Sequence, residues 1–368
     1  MNYKYFNLNP ECYFTMGVTR GVIQNLLTKD IIWLDEQNSK SILKSEKGEI
    51  IEVKDDFFNE LGKMGWGFFS EHKYYIDKLR SMNAFNQKKY WKDTPIIYSA
   101  VLQLVNECNL NCDFCKEIFC PSCTKITRVD NHFKVMSLDT WISIIDELYY
   151  FGMRHLVLTG GEVTLFKDLL KLITYAQSKG IYVNVNTNGL IPINNLPIEV
   201  EIYINLYNRD QIDTVLSNYL KHDKVTLVCI NDLCIDDIID GLNPNWKIQK
   251  GYNNSPEINA DSIIKTDLQM FFLKKTGNIC LKSRIYICYN ADVIPCFGKK
   301  DIVVGNVQTT GLSKALQILS TEFWEKVMFE DETNGKCKKC EFKYSCGACN
   351  FVNVDEQCTY NLEDGVWI

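Results

Sequence analysis

Three cysteines, Cys108, Cys112 and Cys115, stand at C-x3-C-x2-C spacing directly after the apolar run 98–105. That run crowds Val101, Leu102, Leu104 and Val105 together and stops at the polar pair Asn106-Glu107, which predicts a buried strand ending in a tight loop. Three thiolates in one short loop form a metal cradle, and three cannot close the four-cysteine shell of an ordinary 4Fe-4S centre. One iron is then left open to take a second molecule. The same spacing also permits half of a structural zinc site or three unpaired core thiols. A second region holds Cys280, Cys296, then Cys337-x2-Cys340-x5-Cys346-x2-Cys349, and Cys358. These seven exceed what one metal needs. Two four-ligand sites need eight, so one site would carry an open iron or a non-cysteine ligand. A zinc ribbon at Cys337, Cys340, Cys346 and Cys349 also fits the spacing.

Composition narrows the class. The chain has 368 residues, 46% hydrophobic and 23% charged, which is enough for two or three globular domains. A net charge of −6 without a basic block argues against a nucleic-acid partner. No run of apolar residues is long enough for a membrane span, and no signal-peptide core follows the first residues. Sixteen cysteines that bunch at C-x2-C spacings in a long, unsignalled chain point to metal in a reducing, cytoplasmic compartment.

The elements that must position these residues follow from periodicity. Residues 1–90 read as a small α+β unit of winged-helix character. It has strands over 5–7, 13–18, 21–25, 30–34 and 67–69 and helices over 36–44 and 55–62. A charged helix is expected over 72–91. Strands then alternate with helices. The strands are 99–105, 155–158, 182–185, 201–206, 225–230 and 246–249, and the helices are 138–151, capped by Ser137, and 165–178, stopped at Gly180. This alternation predicts an α/β fold with a parallel sheet, whose ligand sites lie at the C-terminal strand ends. The cysteine loop, Gly160-Gly161-Glu162 and Asn186-Thr187-Asn188-Gly189 all fall there. The glycines would let a ligand approach the backbone, and Glu162 would accept from a ligand ammonium. Each of these segments also has an ordinary turn reading. A hairpin is expected over 285–296, turning at Asn290-Ala291-Asp292.

The C-x3-C-x2-C loop, with the aromatic Phe114 before its last cysteine and Gly160-Gly161-Glu162 on the next strand, resembles the radical S-adenosylmethionine (SAM) superfamily. The resemblance implies a partial (β/α)6 TIM-like barrel over 91–270. It also implies a 4Fe-4S cluster on Cys108, Cys112 and Cys115 whose open iron binds SAM and generates a 5'-deoxyadenosyl radical. Gly160, Gly161 and Glu162 would meet the SAM amino group, Asn186, Thr187 and Asn188 would make polar contacts, and Asn205 would lie near the ribose.

Residues 271–368 resemble the cysteine-rich SPASM extension, which implies two auxiliary 4Fe-4S clusters. Cys280, Cys296 and Cys349 would hold the first, and Cys337, Cys340, Cys346 and Cys358 the second. Ala291 stands where that family usually has Gly, and the last C-x2-C is one residue shorter than its usual C-x3-C. The fourth ligand of the first auxiliary cluster stays open among Cys288, Cys234, water and a substrate thiolate. Cys120 and Cys123 form a further C-x2-C, read as a redox pair, a hydrogen-atom donor or loop thiols. Cys12, Cys229, Cys234 and Cys288 read as buried structural thiols.

Residues 1–90 resemble the PqqD-like element that takes a leader peptide by β-addition. The implied enzyme is a maturase of ribosomal precursor peptides. It would form a thioether or carbon–carbon crosslink, or epimerise, with electrons from a flavodoxin or ferredoxin. Phe297 follows Cys296 where relatives that oxidise a sulfatase Ser or Cys carry Asp, which disfavours that chemistry. A SPASM dehydrogenase or epimerase of small molecules and a non-catalytic metal-bearing peptide scaffold are the other readings. Residues 1–85 are expected to be dispensable for iron content, provided the truncated chain stays folded.

Overall fold

A computed structural model describes residues 3–81, 96–112, 136–230, 242–250, 258–276, 281–297, 301–324, 335–347 and 357–368. The chain forms two compact units that are not consecutive in sequence. One comprises Met1–Lys92, Glu257–Cys280 and Glu325–Ile368, the other Asp93–Pro256 and Leu281–Trp324. The stretch 271–368 is therefore shared between the two units. Among the described residues no helix is long and apolar enough to cross a membrane.

The first unit opens with strands β1 (Tyr3–Leu8), β2 (Cys12–Met16), β3 (Gly21–Asn25), β4 (Ile31–Leu34), β5 (Ile51–Glu52) and β6 (Gly67–Ser70). They form two antiparallel sheets, ordered β5-β1-β6 and β2-β3-β4. Helix α1 (Glu36–Glu46) starts where the Asp35 side chain accepts from the Asn38 N–H, and α2 (Asp56–Lys63) where Asp55 accepts from Phe57. Phe6, Phe58, Leu61 and Trp66 close the core beneath them. The helix expected over 72–91 is not formed in its described part. Residues 71–81 hold no helix, and the rest lies outside the described residues. The reason is local competition: Leu79 N–H bonds the Pro10 carbonyl at 2.9 Å, and Lys78 Nζ donates to the carbonyls of Leu8, Asn9 and Cys12. These ties hold the segment against β1 and β2.

The second unit is built on β7 (Ser99–Gln103), helix α3 (Leu138–Tyr150), β8 (His155–Thr159), α4 (Leu169–Ser178), β9 (Tyr182–Thr187), β10 (Glu201–Leu206), α5 (Gln211–Tyr219), β11 (Val225–Cys229) and β12 (Lys247–Lys250). Each of these six strands pairs in parallel with its sequence neighbour, in the order β12-β11-β10-β9-β8-β7. Beyond β7 the sheet continues through parallel β13 (Arg284–Ile287) and antiparallel β14 (Asp292–Ile294) and β15 (Gly305–Asn306). The helix Leu312–Leu319 ends this unit's regular structure before a π-helical turn.

The Ser137 cap is present, accepting from Thr140 N–H at 3.2 Å, and Gly180 at φ +75 ends α4. Helix α4 begins four residues later than expected, because Val163–Leu165 forms its own 3₁₀ turn capped by Glu162. The hairpin forms as expected. Ala291 sits at φ +68, a left-handed position that costs an alanine about 1–2 kcal/mol. It is held there by bonds from Ala291 N–H to Cys288 O and from Val307 N–H to Ala291 O, both 2.9 Å.

The sheet's two faces differ in chemistry. Ile202, Ile204 and Leu206 pack under Val215 and Tyr219 of α5. Along the alternate positions lie Gln103, Thr159, Asn184, Asn186, Tyr203 and Asn205, and all of these except Tyr203 are buried. One face is thus an ordinary apolar core, while the other is a buried polar wall.

The first unit is completed by the helix Leu268–Thr276, a short helix Gly335–Lys338, the 3₁₀ turn Glu341–Tyr344 and a hairpin of Tyr360–Asn361 with Val366–Trp367. These elements are too short to enclose a core of their own, and they draw on β2-β3-β4 for it. Val22, Phe342 and Tyr360 bury together. Trp33 packs edge-on to Phe342 at 5.0 Å, Tyr13 against Phe271 at 4.9 Å, and Gln24 Nε2 bonds Thr266 Oγ1 at 2.8 Å. This packing bears on the condition that the chain stays folded without residues 1–85. Removing them is expected to render 335–368 protease-sensitive and to lower iron content, read by limited proteolysis and iron assay. Phe342→Ala in the full chain is expected to cost about 3–5 kcal/mol, read by the urea midpoint. An unchanged midpoint would contradict the shared core.

Candidate active site

Where β7 ends, the chain is zipped onto the end of β8. Leu104 N–H bonds Thr159 O at 2.8 Å, Gly161 N–H bonds Val105 O at 2.9 Å, and Glu162 N–H bonds Glu107 O at 2.7 Å. The two glycines make this approach possible. A Cβ on Gly160 would lie 2.8 Å from the Val105 carbonyl oxygen. A Cβ on Gly161 would overlap the Glu107 oxygen and lie 2.6 Å from that of Asn106. The backbone they admit is the chain's own cysteine loop. Cys108 and Cys112 follow, both half-buried, and Cys108 Sγ accepts from Leu110 N–H at 3.4 Å. A peptide N–H on sulfur favours the thiolate, and such bonds tune sulfur-ligated clusters. The thiolate chemistry and this donor fit a cluster ligand. Phe114, Cys115, Cys120 and Cys123 lie outside the described residues.

Glu162 gathers the strand ends. Its Oε1 accepts from Thr164 N–H (3.0 Å), Thr164 Oγ1 (2.7 Å) and Thr187 Oγ1 (2.7 Å), and its Oε2 accepts from Asn188 N–H (2.8 Å). A carboxylate this deeply buried needs such partners. Asn188 Nδ2 in turn donates to Asn109 Oδ1 at 2.7 Å, reaching into the cysteine loop. Asn205 Nδ2 donates to Thr187 O (3.2 Å) and Asn186 Oδ1 (3.5 Å). Glu162, Asn186, Thr187, Asn188 and Asn205, which the sequence places on three separate strand ends, therefore meet in one network.

One member escaped the sequence reading. Gln211, at the start of α5, donates to the carbonyls of Asn188 and Asn205 and accepts from the N–H groups of Tyr207 and Asn208. Nothing in its local pattern marks it. Asn205 Oδ1, Asn184 Oδ1 and Thr159 Oγ1 are buried on the polar wall and have no hydrogen-bond partner among the described residues. Buried polar atoms of this kind are uncommon, and a bound ligand is one way to satisfy them.

The C-terminal cysteines are also brought near one another. Cys337, Cys346 and Cys358 pack around Ile258, and Cys340 and Cys358 border the Val22–Phe342–Tyr360 cluster. Phe342 N–H donates to Cys340 Sγ at 3.4 Å, Lys336 Nζ to Cys358 O at 2.7 Å, and Lys274 Nζ to Cys346 O. Among the described residues no three His, Cys, Asp or Glu side chains stand in a metal-holding group. Cys280, Cys349 and Cys234 lie outside the described residues, while Cys296 is buried. Phe297 packs its ring on Tyr286 at 5.3 Å.

Cys12, Cys229 and Cys288 are buried thiols. Burial pushes Cys12 up to about 12, raises Cys229, and raises Cys288 well above the usual range, with the Asp292 charge adding to it. A raised pKa leaves the thiol protonated, and only the thiolate alkylates. At pH 8 iodoacetamide is expected to leave these three unlabelled in the folded chain and to label them after denaturation, as read by peptide mass. Gly161→Ala is expected to cost about 1–3 kcal/mol of stability through overpacking against the loop, read by the thermal midpoint.

Comparison with known proteins bears on this site. Residues 102–208 match the Radical SAM superfamily. The sporulation killing factor maturation protein SkfB of Bacillus subtilis is 34% identical over 116 residues, which are 32% of this chain and 25% of that protein. A PqqA peptide cyclase of Bradyrhizobium diazoefficiens is 28% identical over 93 residues, 25% of this chain and 22% of that protein. The chain thus spans a quarter or less of the length of these curated relatives. The crystal structure of Streptococcus suis SuiB bound to precursor peptide SuiA aligns over 95% of this chain and 97% of that one, with 15% identity and a TM-score of 0.49. Cys108, Cys112 and both strand ends docked on their loop lie inside the residues matched to the Radical SAM superfamily.

Proposed function

We propose that the chain is a SPASM-type radical SAM enzyme that modifies a ribosomally made precursor peptide. The observation that carries this reading is the docking of the C-x3-C-x2-C loop onto Gly160-Gly161 and Asn188 at the C-terminal ends of parallel strands, beside the unpartnered Asn205 Oδ1. Cys108, Cys112 and Cys115 would hold a 4Fe-4S cluster with one iron open to SAM. Bound there, cluster and SAM supply a 5'-deoxyadenosyl radical for hydrogen abstraction. Asn205 Oδ1 would accept from the ligand, while Asn186 lines the same wall and Thr187 donates to Glu162 Oε1. Glu162 Oε2 takes a single bond and retains acceptor capacity for an ammonium. The buried wall would exclude water from the reacting groups.

The peptide substrate is favoured because SkfB is named for the maturation of sporulation killing factor and the PqqA cyclase for cyclising a peptide. In this reading, residues 1–90 recognise the leader by β-addition to a sheet edge such as β6, whose Phe68 is exposed. Cys337, Cys340, Cys346 and Cys358 would hold one auxiliary 4Fe-4S cluster, and Cys280, Cys296 and Cys349 the other. The backbone N–H on Cys340 Sγ and the gathering of Cys337, Cys346 and Cys358 around Ile258 support the former. A flavodoxin or ferredoxin in a reducing cytoplasm would supply electrons. The product is a thioether, a carbon–carbon crosslink or an epimer.

Anaerobic reconstitution is expected to load about twelve irons, as three 4Fe-4S clusters. Replacing Cys108, Cys112 and Cys115 by Ala should remove one cluster and all 5'-deoxyadenosine formation. Stoichiometric zinc with little iron would overturn the assignment. Co-expression with the neighbouring small open reading frame, followed by mass measurement, should show an altered peptide. An unaltered peptide alongside active SAM cleavage would favour a small-molecule substrate.

A further inference from the structure

We infer that Asn188 is a positioning residue, latching the cysteine loop to the end of β9 through Asn109. The inference rests on the radical SAM reading for its consequence but on geometry for its existence. The main-chain zipper between the β7 extension and β8 reaches Glu107, one residue short of Cys108. Asn109, the residue after Cys108, is then held by Asn188 Nδ2 at 2.7 Å.

Asn188 is fixed on its other sides. Its N–H is on Glu162 Oε2, its Oδ1 accepts from Leu190 N–H at 3.1 Å, and its carbonyl accepts from Gln211 Nε2 at 3.3 Å. Leu190 N–H can only donate, so it sets the orientation of the Asn188 amide and leaves Nδ2 aimed at Asn109. Each polar group of Asn188 thus has a partner within the protein. This assigns Asn188 to the loop, where the family resemblance would give it a direct contact with SAM. Glu162 joins the latch to the turn after β8, so the three strand ends share one hydrogen-bonded frame that sets where Cys108 stands.

Two variants remove the bond from opposite sides. Asn188→Ala acts at a buried position, and Asn109→Ala acts at an exposed one where folding is not at stake. In the metal-free full-length chain, the alkylation rate of Cys108, read by peptide mass, is expected to rise roughly fivefold in either variant. The double variant should rise no further than Asn109→Ala, which removes the latch together with the 3.7 Å contact of Cys108 Sγ with Asn109 Oδ1. Asn188→Asp should return the rate toward that of the unaltered chain. Its carboxylate still accepts from Leu190 N–H, and the Asn109 amide can rotate to donate to it. Unchanged rates in Asn109→Ala, or single effects that multiply in the double, would overturn the latch.

In the reconstituted enzyme, the electron paramagnetic resonance signal that shifts on adding SAM reports the cluster on this loop. That signal is expected to decay faster under chelator in both single variants, and decay rates equal to those of the unaltered enzyme would count against the latch. If the unaltered enzyme shows no SAM-shifted signal, the radical SAM reading fails, and the alkylation rates still decide the latch.

Discussion

The site depends on one steric constraint: two backbones pass closer than any side chain would allow. The loop after β7 and the turn after β8 touch at Gly160 and Gly161, where a Cβ would strike the carbonyl oxygens of residues 105–107. Without that contact, the bonds from Gly161 and Glu162 to Val105 and Glu107 could not form. The cysteine loop would then lose its register against the strand ends. Glu162 extends the constraint. Fully buried, it draws donors from Thr164, Thr187 and Asn188, and so ties β9 to the same frame. A buried carboxylate stripped of these donors would be costly, which makes the frame close to all-or-none.

A second dependence runs through the other unit. The C-terminal cysteines sit on elements of two to four residues, too short to enclose a core. Their apolar support is Val22 and Trp33, contributed from the far end of the chain. The segment expected to serve only peptide recognition therefore also holds up the cysteine-bearing one. Lys336 and Lys274 add cations against the carbonyls of Cys358 and Cys346.

The parts legible in the sequence are those with local causes. Strands buried on both faces read as apolar runs, so β7 and β11 stand close to where periodicity puts them. Ser137 and Gly180 mark helix ends by cap chemistry that acts within a turn. Cys108, Glu162 and Asn205 were visible because they occupy strand ends in an alternating pattern. What the glycines admit was not visible, since their neighbour is another loop some fifty residues away along the chain. Gln211 was missed because a single glutamine at a helix start carries no pattern. The packing of Val22 on Phe342 joins residues more than three hundred positions apart, and no local rule reports it. Residues 72–81, expected as helix, hold none, because Leu79 N–H and Lys78 Nζ are taken by carbonyls of residues 8–12.

The account's central claim is that the loop of Cys108, Cys112 and Cys115 leaves one iron open to SAM at the strand ends. The most direct measurement is hyperfine spectroscopy of the reduced, reconstituted protein mixed with SAM labelled in its amino and carboxylate groups. The account predicts coupling of the label to a cluster that disappears when Cys108, Cys112 and Cys115 are replaced. A reduced protein that shows iron–sulfur signals but no coupling to labelled SAM would contradict it.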